Sequence, residues 1–267
     1  MDNKFFESNE VPHLIEKYFY LSFEKEDIPF KSVILPIGLT HLLYIPDGNQ
    51  KIVFKGNETL LTDLMVTGQY FRSYDFSSVS ITESIGANFH PTALHKLLNI
   101  DVSKLKSRHL PLAQINESFY NKLLPIFKKS KGPEELIQNL NSFFLNSFLH
   151  IDKNTKQIDD AINLIREKEG LLNVLDIINE ISTSQKTLEV QFKKIVGLTP
   201  GRYIRLFRFQ QLMRKYYSGD IELKDLIYKY NYYDSSHFAK DFKLFMKQNL
   251  KSFLKKDYLL LKSYLNQ

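Results

Sequence analysis

Two ten-residue segments near the end of the chain carry side chains whose types and spacing suit molecular recognition. The first is Ser184-Gln185-Lys186-Thr187-Leu188-Glu189-Val190-Gln191-Phe192-Lys193. The second is Asp234-Ser235-Ser236-His237-Phe238-Ala239-Lys240-Asp241-Phe242-Lys243, its leading residue 50 positions further on. In each, the leading side chain can cap a helix by accepting a free first-turn N–H. Apolar residues four apart, Leu188 with Phe192 and Phe238 with Phe242, define one buried face. On the free face this leaves Gln185, Lys186, Glu189 and Val190 in the first segment and Ser235, Ser236, Ala239 and Lys240 in the second. These supply hydrogen-bond donors, a carboxylate acceptor and small apolar tips, a set that reads polar edges rather than breaking bonds. Arg202, Arg205 and Arg208, at three-residue intervals between the segments, cluster on one side of a helix. One or two of them suit phosphate clamps, as do Lys193 and Lys243, while another suits an acidic side chain.

The elements that must hold these faces are legible around them. An apolar helix, Val174-Leu175-Asp176-Ile177-Ile178-Asn179-Glu180, precedes the first segment, and Leu223-Lys224-Asp225-Leu226-Ile227-Tyr228 precedes the second. Between the units, Gly197-Leu198-Thr199-Pro200 reads as a helix stop and restart, with Gly197 at C′, Thr199 at the N-cap and Pro200 in the first turn. A long linking helix with Ile204, Phe207, Leu212 and Met213 inward follows. Two helix-turn-helix units joined in this way present their outer helices to successive major-groove segments, about 34 Å apart.

Over roughly residues 158–255 the sequence resembles the AraC/XylS family of bacterial transcription regulators. The resemblance rests on the Ser-x-x-x-Leu-x-x-x-Phe-Lys segment, the Gly-Leu-Thr-Pro elbow, the Arg-Phe helix and Tyr232-Tyr233-Asp234-x-Ser236-His237-Phe238-x-x-Asp241-Phe242-Lys243. It implies that Lys186, Glu189 and Val190 stand where base edges are met: lysine donating to guanine, glutamate accepting from cytosine N4, valine touching a thymine methyl. A solvated or capping carboxylate is the competing reading of Glu189, and a structural role that of His237. The chain departs from the family pattern at several points. Ile178 and Ile227 stand where alanine is usual, Asn231 replaces a turn glycine, Lys247-Gln248-Asn249-Leu250 replaces the closing Gly-x-x-Pro, and Val190 replaces an arginine.

Charge follows the same division. Residues 1–155 hold 16 Lys and Arg against 17 Asp and Glu, whereas residues 156–267 hold 20 against 13. The basic excess coincides with the paired motifs and favours double-stranded DNA as partner. Cysteine is absent, which excludes disulfide frameworks and thiolate metal sites and agrees with a reducing compartment. The first residues show no basic leader followed by an apolar run, and no stretch reaches the roughly 18 apolar residues of a membrane span. A cytoplasmic protein with no membrane partner is expected.

The amino-terminal part reads as strands. Residues 18–23, 32–36, 42–45, 52–54, 64–68 and 79–86 are β-prone, with Pro46-Asp47-Gly48-Asn49 as a hairpin turn. Helical periodicity begins near residue 92, giving helices at 92–98, 115–127 and 133–149, the last with a broad apolar face suited to a core or, secondarily, to a homodimer. Residues 150–156 are the expected linker. Ile45-Pro46-Asp47-Gly48 and Ile85-Gly86-Ala87-Asn88-Phe89-His90-Pro91 are similar to the cupin-like sensor domain of some AraC-like regulators, which implies a small-molecule effector.

The expected fold is therefore α+β: a β-rich cupin-like domain with flanking helices over residues 1–150, then an all-α domain with two helix-turn-helix units over 151–267. His13, His41, His90, His95 and His109 are scattered without a His-x-His pair, so neither a metal nor a cofactor is expected. Phosphate-loop, dinucleotide and Gly-x-Ser-x-Gly motifs are missing, and catalytic residues are expected to be none. The competing readings are a metal-free cupin-like enzyme or small-molecule-binding protein with a basic helical extension, and a DNA binder without effector sensing.

Overall fold

The computed structural model describes residues 1–219, 221–256 and 258–265; Asp220, Asp257, Asn266 and Gln267, which the second expected domain spans, lie outside the described residues. The first half is an antiparallel sheet of β1 (Asp2–Glu7), β2 (Ile15–Phe23), β3 (Phe30–Ile34), β4 (Thr40–Phe54), β5 (Asn57–Thr67), β6 (Tyr74–Ser78), β7 (Thr82–Phe89) and β8 (His109–Pro111). The strands run in the order β1-β2-β7-β4-β5-β8, with β6 on β4 and β3 on β6. Strand β4 organises the sheet. Its first part, 40–44, pairs with β7, and its second, 50–53, pairs with β6, so the strand must bend between them.

That bend occupies the residues expected to form a hairpin turn. Ile45 faces Asp63 and Gln50 faces Leu61, leaving the four residues 46–49 opposite Thr62 alone. The insertion is a bulge, not a turn, and Pro46 is tolerated there because the ladder is already interrupted. Asp47 holds it, accepting from the Asn49 N–H at 3.2 Å and the Thr82 hydroxyl at 2.7 Å. The chain reverses instead at Lys55-Gly56, both with positive φ (53° and 81°), between the paired Phe54 and Asn57. A two-residue turn of that hand matches strand twist. Residues 79–86 likewise straddle a break: β6 ends at Ser78 and β7 begins at Thr82, with Val79 and Ile81 exposed between them.

Helices α1 (Ala93–Leu98), α2 (Leu112–Ile115), α3 (Glu117–Lys129) and α4 (Pro133–Leu145) close one side of the sheet. Leu136, Ile137, Leu140 and Phe144 of α4 enter a core with Leu123, Phe127 and Phe89, the Phe89 and Phe144 rings meeting edge to face at 5.9 Å. Most of the broad apolar face of α4 thus packs inside the domain, while Leu145 and, past the end of the helix, Phe148 stay exposed. The expected linker is shorter than 150–156, because α5 (Lys153–Glu167) starts within it. Its capping box is complete: Asp152 accepts from the Thr155 N–H at 2.7 Å and Thr155 Oγ1 accepts from the Asp152 N–H at 2.6 Å.

Among the described residues seven further helices follow: α6 (Val174–Ile181), α7 (Gln185–Val196), α8 (Pro200–Ser218), α9 (Leu223–Lys229), α10 (Ser235–Met246), α11 (Leu250–Leu254) and α12 (Leu259–Leu265). Their shared core is aromatic. Phe209 of α8 contacts Phe238, Phe242 and Phe245 of α10 at centroid distances of 6.3, 5.9 and 4.6 Å. Rings of this size each bury a large apolar area, which fixes short helices that intrinsic propensity alone could not.

Candidate nucleic-acid interface and a buried cavity

In the first unit, Asn173 caps α6 by accepting from the Leu175 and Asp176 N–H groups, and Ser184 caps α7 by accepting from the Thr187 N–H at 3.1 Å. Leu188 and Phe192 are buried, so α7 is docked by one side. Gln185, Lys186, Glu189 and Val190 all lie exposed on the other. Gln185 Nε2 donates to Glu189 Oε1 at 3.0 Å, so the glutamate is held by its neighbour four residues back.

The second unit repeats this. Asp234 accepts from the His237 N–H at 2.7 Å, Phe238 and Phe242 are fully buried, and Ser235, Ser236, Ala239 and Lys240 are exposed. Asn231 takes φ 55° in the turn, the geometry glycine usually supplies. His237 sits 5.2 Å from the Tyr232 ring, with Nδ1 3.4 Å from the Tyr233 N–H. Sequence reading passed over Tyr233. Its side chain is 86% exposed one residue before the cap of α10, where a phenol can reach a phosphate beside the helix N-terminus. The signal was its position beside the cap; a second tyrosine next to it, Tyr232, is fully committed to the core.

The turn closing each unit is built alike despite different residues. Gly197 (φ 94°) sends its N–H to the Lys193 carbonyl at 3.0 Å, and Lys247 (φ 57°) sends its N–H to the Lys243 carbonyl at 3.0 Å. Asn249 then caps α11 through the Ser252 N–H, as the Thr199-Pro200 start opens α8, although the Thr199 side chain itself makes no capping bond.

Arg202, Arg205 and Arg208 of α8 diverge. Arg205 forms a forked ion pair with Asp241, whose side chain is wholly buried in α10 and also accepts from the Tyr232 hydroxyl at 3.2 Å. This carboxylate holds the Arg205 guanidinium above its ordinary pKa. Arg208 lies 4.9 Å over the Tyr232 ring, and Arg202 lies 5.5 Å over Phe71, a residue of the β domain. Lys193 and Lys243 are exposed. The geometry therefore gives Arg205 the role of tying α8 to α10, and leaves the two lysines on the surface.

The two halves of the chain touch extensively. The Ser73 N–H donates to the Phe245 carbonyl at 2.6 Å, Gln210 Nε2 to the Pro36 carbonyl at 2.7 Å, and Lys96 pairs with Asp159 at 2.7 Å. Arg166 pairs with Glu16. The C-terminal helix α12 crosses to the sheet. Asn3 Nδ2 donates to Ser263 Oγ at 3.0 Å, Tyr264 meets Phe5 at 6.3 Å, and the Tyr264 hydroxyl accepts from Arg214 of α8 at 3.3 Å.

Beneath α12 lies a cavity of about 150 Å³. Its wall is largely apolar, with Phe19, Leu43, Ile52 and Phe76 from the sheet and Leu260, Leu261 and Tyr264 from α12. A polar row crosses it. Asn88 of β7, His41 of β4, Thr67 of β5 and His109 of β8 are cross-strand neighbours in register, and all four line the space. His41 Nδ1 lies 2.7 Å from Asn88 Oδ1, and His109 Nδ1 lies 3.0 Å from the Tyr70 hydroxyl. Burial pushes His41 down to about 4, against the raising effect of the Asn88 bond. His109 is pushed to about 3, by burial first and by His41 second, so both rings are neutral at pH 7. The remaining histidines are dispersed: His90 bonds Thr92 and His95 the Ile100 carbonyl. Among the described residues no three acidic or imidazole side chains gather at one point.

Residues 177–256 match the helix-turn-helix domain family, and residues 8–111 match a domain of unknown function, DUF6597. No curated protein matches the chain by sequence. Among solved structures, an apo point variant of ToxT from Vibrio cholerae is 15% identical, with 89% of this chain and 97% of that chain covered and a TM-score of 0.50. ToxT from Vibrio cholerae bound to (E)-4-(8-methylnaphthalen-1-yl)but-3-enoic acid is 14% identical, with 96% and 99% covered and a TM-score of 0.48. The AraC-like transcriptional activator CuxR is 14% identical, with 73% of each chain covered and a TM-score of 0.27. At these identities the likeness to ToxT is one of fold: an antiparallel β domain followed by the paired helical units. The helix-turn-helix match spans α7 to α11, so the motifs on α7 and α10 lie within a helix-turn-helix domain, and in this half the chain is similar to DNA-binding transcription regulators of the AraC family.

Proposed function

We propose that residues 151–267 read double-stranded DNA through α7 and α10, and that residues 1–150 sense a small molecule whose presence changes how those helices are offered. Lys186, Glu189 and Val190 on α7 and Ser235, Ser236, Ala239 and Lys240 on α10 meet base edges, with Gln185 steering Glu189. Lys193, Lys243 and Tyr233 hold phosphate. No helix among the described residues is long and apolar enough to cross a membrane, and the proposed site of action is the bacterial cytoplasm. The observation that carries the sensing role is the cavity whose wall the sheet and α12 share. A ligand there contacts both halves at once, and therefore has the differential contacts that a coupled equilibrium requires. Selection of bound sites from random double-stranded DNA with the purified full chain tests the reading function. An enriched site with two segments about one helical turn apart is expected. Absence of both enrichment and low-salt DNA affinity refutes it.

A further inference from the structure

The effector reading leaves the chemistry of the ligand open, and the cavity wall narrows it. Among the described residues, those that line the space are apolar or polar without a formal charge at neutral pH, with no Lys, Arg, Asp or Glu. Of the two histidines that could supply a cation, His109 is buried and His41 half-buried, and each already has a hydrogen-bond partner at Nδ1. An anion or cation entering this space would surrender its hydration to a wall with no countercharge, at a cost of several kcal/mol. Hydrogen-bonding capacity, by contrast, stands idle. Thr67 Oγ1 and Gln50 Nε2, on residues 2% and 1% exposed, find no hydrogen-bond partner among the described residues. Thr67 lies in the polar row between His41 and His109, and Gln50 lies beyond the bulge on the same strand as His41. Size adds a second limit. A space of about 150 Å³ is comparable to the engineered apolar cavity that accepts benzene, so one ring or a chain of similar bulk fits it.

We propose that the cavity takes an uncharged, single-ring-sized lipophilic molecule bearing one hydroxyl or carbonyl, its apolar body against Phe19, Phe76 and Leu261 and its polar group against Thr67 and Gln50. This rests on the effector reading above and specifies the class of molecule. A carboxylate of the same size is excluded from the resting site, because it enters only together with a proton taken up by itself or by an imidazole. A permanent cation has no acceptor carboxylate to meet.

The test uses the full chain at pH 7.5 with four probes of one ring: benzyl alcohol, toluene, benzoate and benzylammonium. Binding is followed by calorimetry and by the rise in Tm. Benzyl alcohol is expected to bind at least tenfold more tightly than benzoate or benzylammonium. Thr67→Val should weaken benzyl alcohol several-fold while leaving toluene unchanged or tighter, which also shows that the variant is folded with its cavity intact. Leu261→Trp, filling the space from α12, should abolish both. Benzoate binding as tightly as benzyl alcohol, or tightening tenfold per pH unit as pH falls, overturns the uncharged class while leaving a sensor in place. If no probe binds up to its solubility limit, both the ligand class and the sensing role fail. If benzyl alcohol binds and DNA affinity is unaltered, the class stands and the effector reading alone is refuted.

Discussion

The ion pair between Arg205 and Asp241 separates a structural arginine from a phosphate clamp, and the difference is measurable. Arg205→Ala would leave the Asp241 carboxylate wholly buried in α10, with the Tyr232 hydroxyl as its remaining side-chain donor among the described residues. Removing one partner of a buried pair costs about 3–5 kcal/mol. Arg205 is 44% exposed at its side chain, and Tyr232 still donates, so water and the phenol offset part of this and about 2–3 kcal/mol is expected. For a chain of this size that lowers Tm by roughly 5–10 °C. Asp241→Asn, which keeps an acceptor for Tyr232 and leaves Arg205 able to hydrate, should cost about 1–2 kcal/mol. The pair Arg205→Met with Asp241→Leu removes both charges and should recover most of the loss. DNA affinity follows the same order if Arg205 acts by seating α10: lost in Arg205→Ala, largely restored in the double variant. Urea unfolding and DNA titration of the four proteins decide it. Affinity that stays low in the double variant while stability returns, with a salt slope reduced by about one, refutes the strut and restores Arg205 as a clamp.

Replacing Lys186 or Lys240 by alanine should change base preference at one position, with a loss of discrimination of about 1–3 kcal/mol, read by competition between cognate and altered sites; equal weakening on all sequences would demote both to phosphate contacts. A fragment of residues 151–267 should fold and bind DNA with log K falling linearly against log salt. The same fragment begun at Lys156 loses the Asp152–Thr155 box and should unfold about 1 kcal/mol more easily by urea titration. Acid sensitivity is also predicted. His41 and His109 titrate near 6.5 when unfolded but at about 4 and about 3 when folded, so the unfolded chain binds more protons throughout that interval. Their contribution is complete above pH 6.5 and is lost as pH falls towards 3, reaching at most about 5 kcal/mol for His109. Urea midpoints at pH 7.5 and 5 that coincide would contradict it.

The helical half was readable because its signals are local. A capping Ser184 or Asp234, apolar residues four apart and a Gly197 stop lie within one turn of what they control, and each occupies the expected position. Even Lys247 and Asn249 keep the closing turn, since positive φ and a side-chain cap are properties of the backbone position rather than of glycine and proline. The sheet was less legible. Pro46-Asp47-Gly48-Asn49 carries the residues of a turn, yet it forms a bulge because β4 must leave β7 and join β6, a demand set by strands more than twenty residues away. Lys55-Gly56, a weaker turn by composition, reverses the chain because its flanks can pair. Arg205 shows the same limit in side chains: spacing placed it on one helix side with Arg202 and Arg208, but only the fold could bring Asp241 beneath it.

The cavity and the reading face are connected by one rigid element. Tyr264, in the cavity wall, accepts from Arg214 of α8, and Arg205 of the same helix grips Asp241 of α10. These two attachment points are nine residues apart, about 13 Å along a helix that rises 1.5 Å per residue. α8 is continuous between them, without proline or glycine, so a displacement of α12 is passed on as movement of the whole rod rather than absorbed by a hinge. A ligand that fills the space beneath α12 acts on Leu261 and Tyr264 first and on α10 through two side-chain bonds. The first reading helix is tied differently. Gly197, at the end of α7, packs against Gln69 and Val102 of the β domain, so that a side chain added there would crowd both. Both reading helices thus touch the β domain, α10 through the Ser73–Phe245 hydrogen bond, but α10 is in addition gripped by α8. If the proposed effector moves α12, the movement reaches α10 through α8 while the Gly197 packing and the Ser73–Phe245 bond hold α7 and α10 to the β domain, so a changed angle between the two reading helices is the expected result of binding.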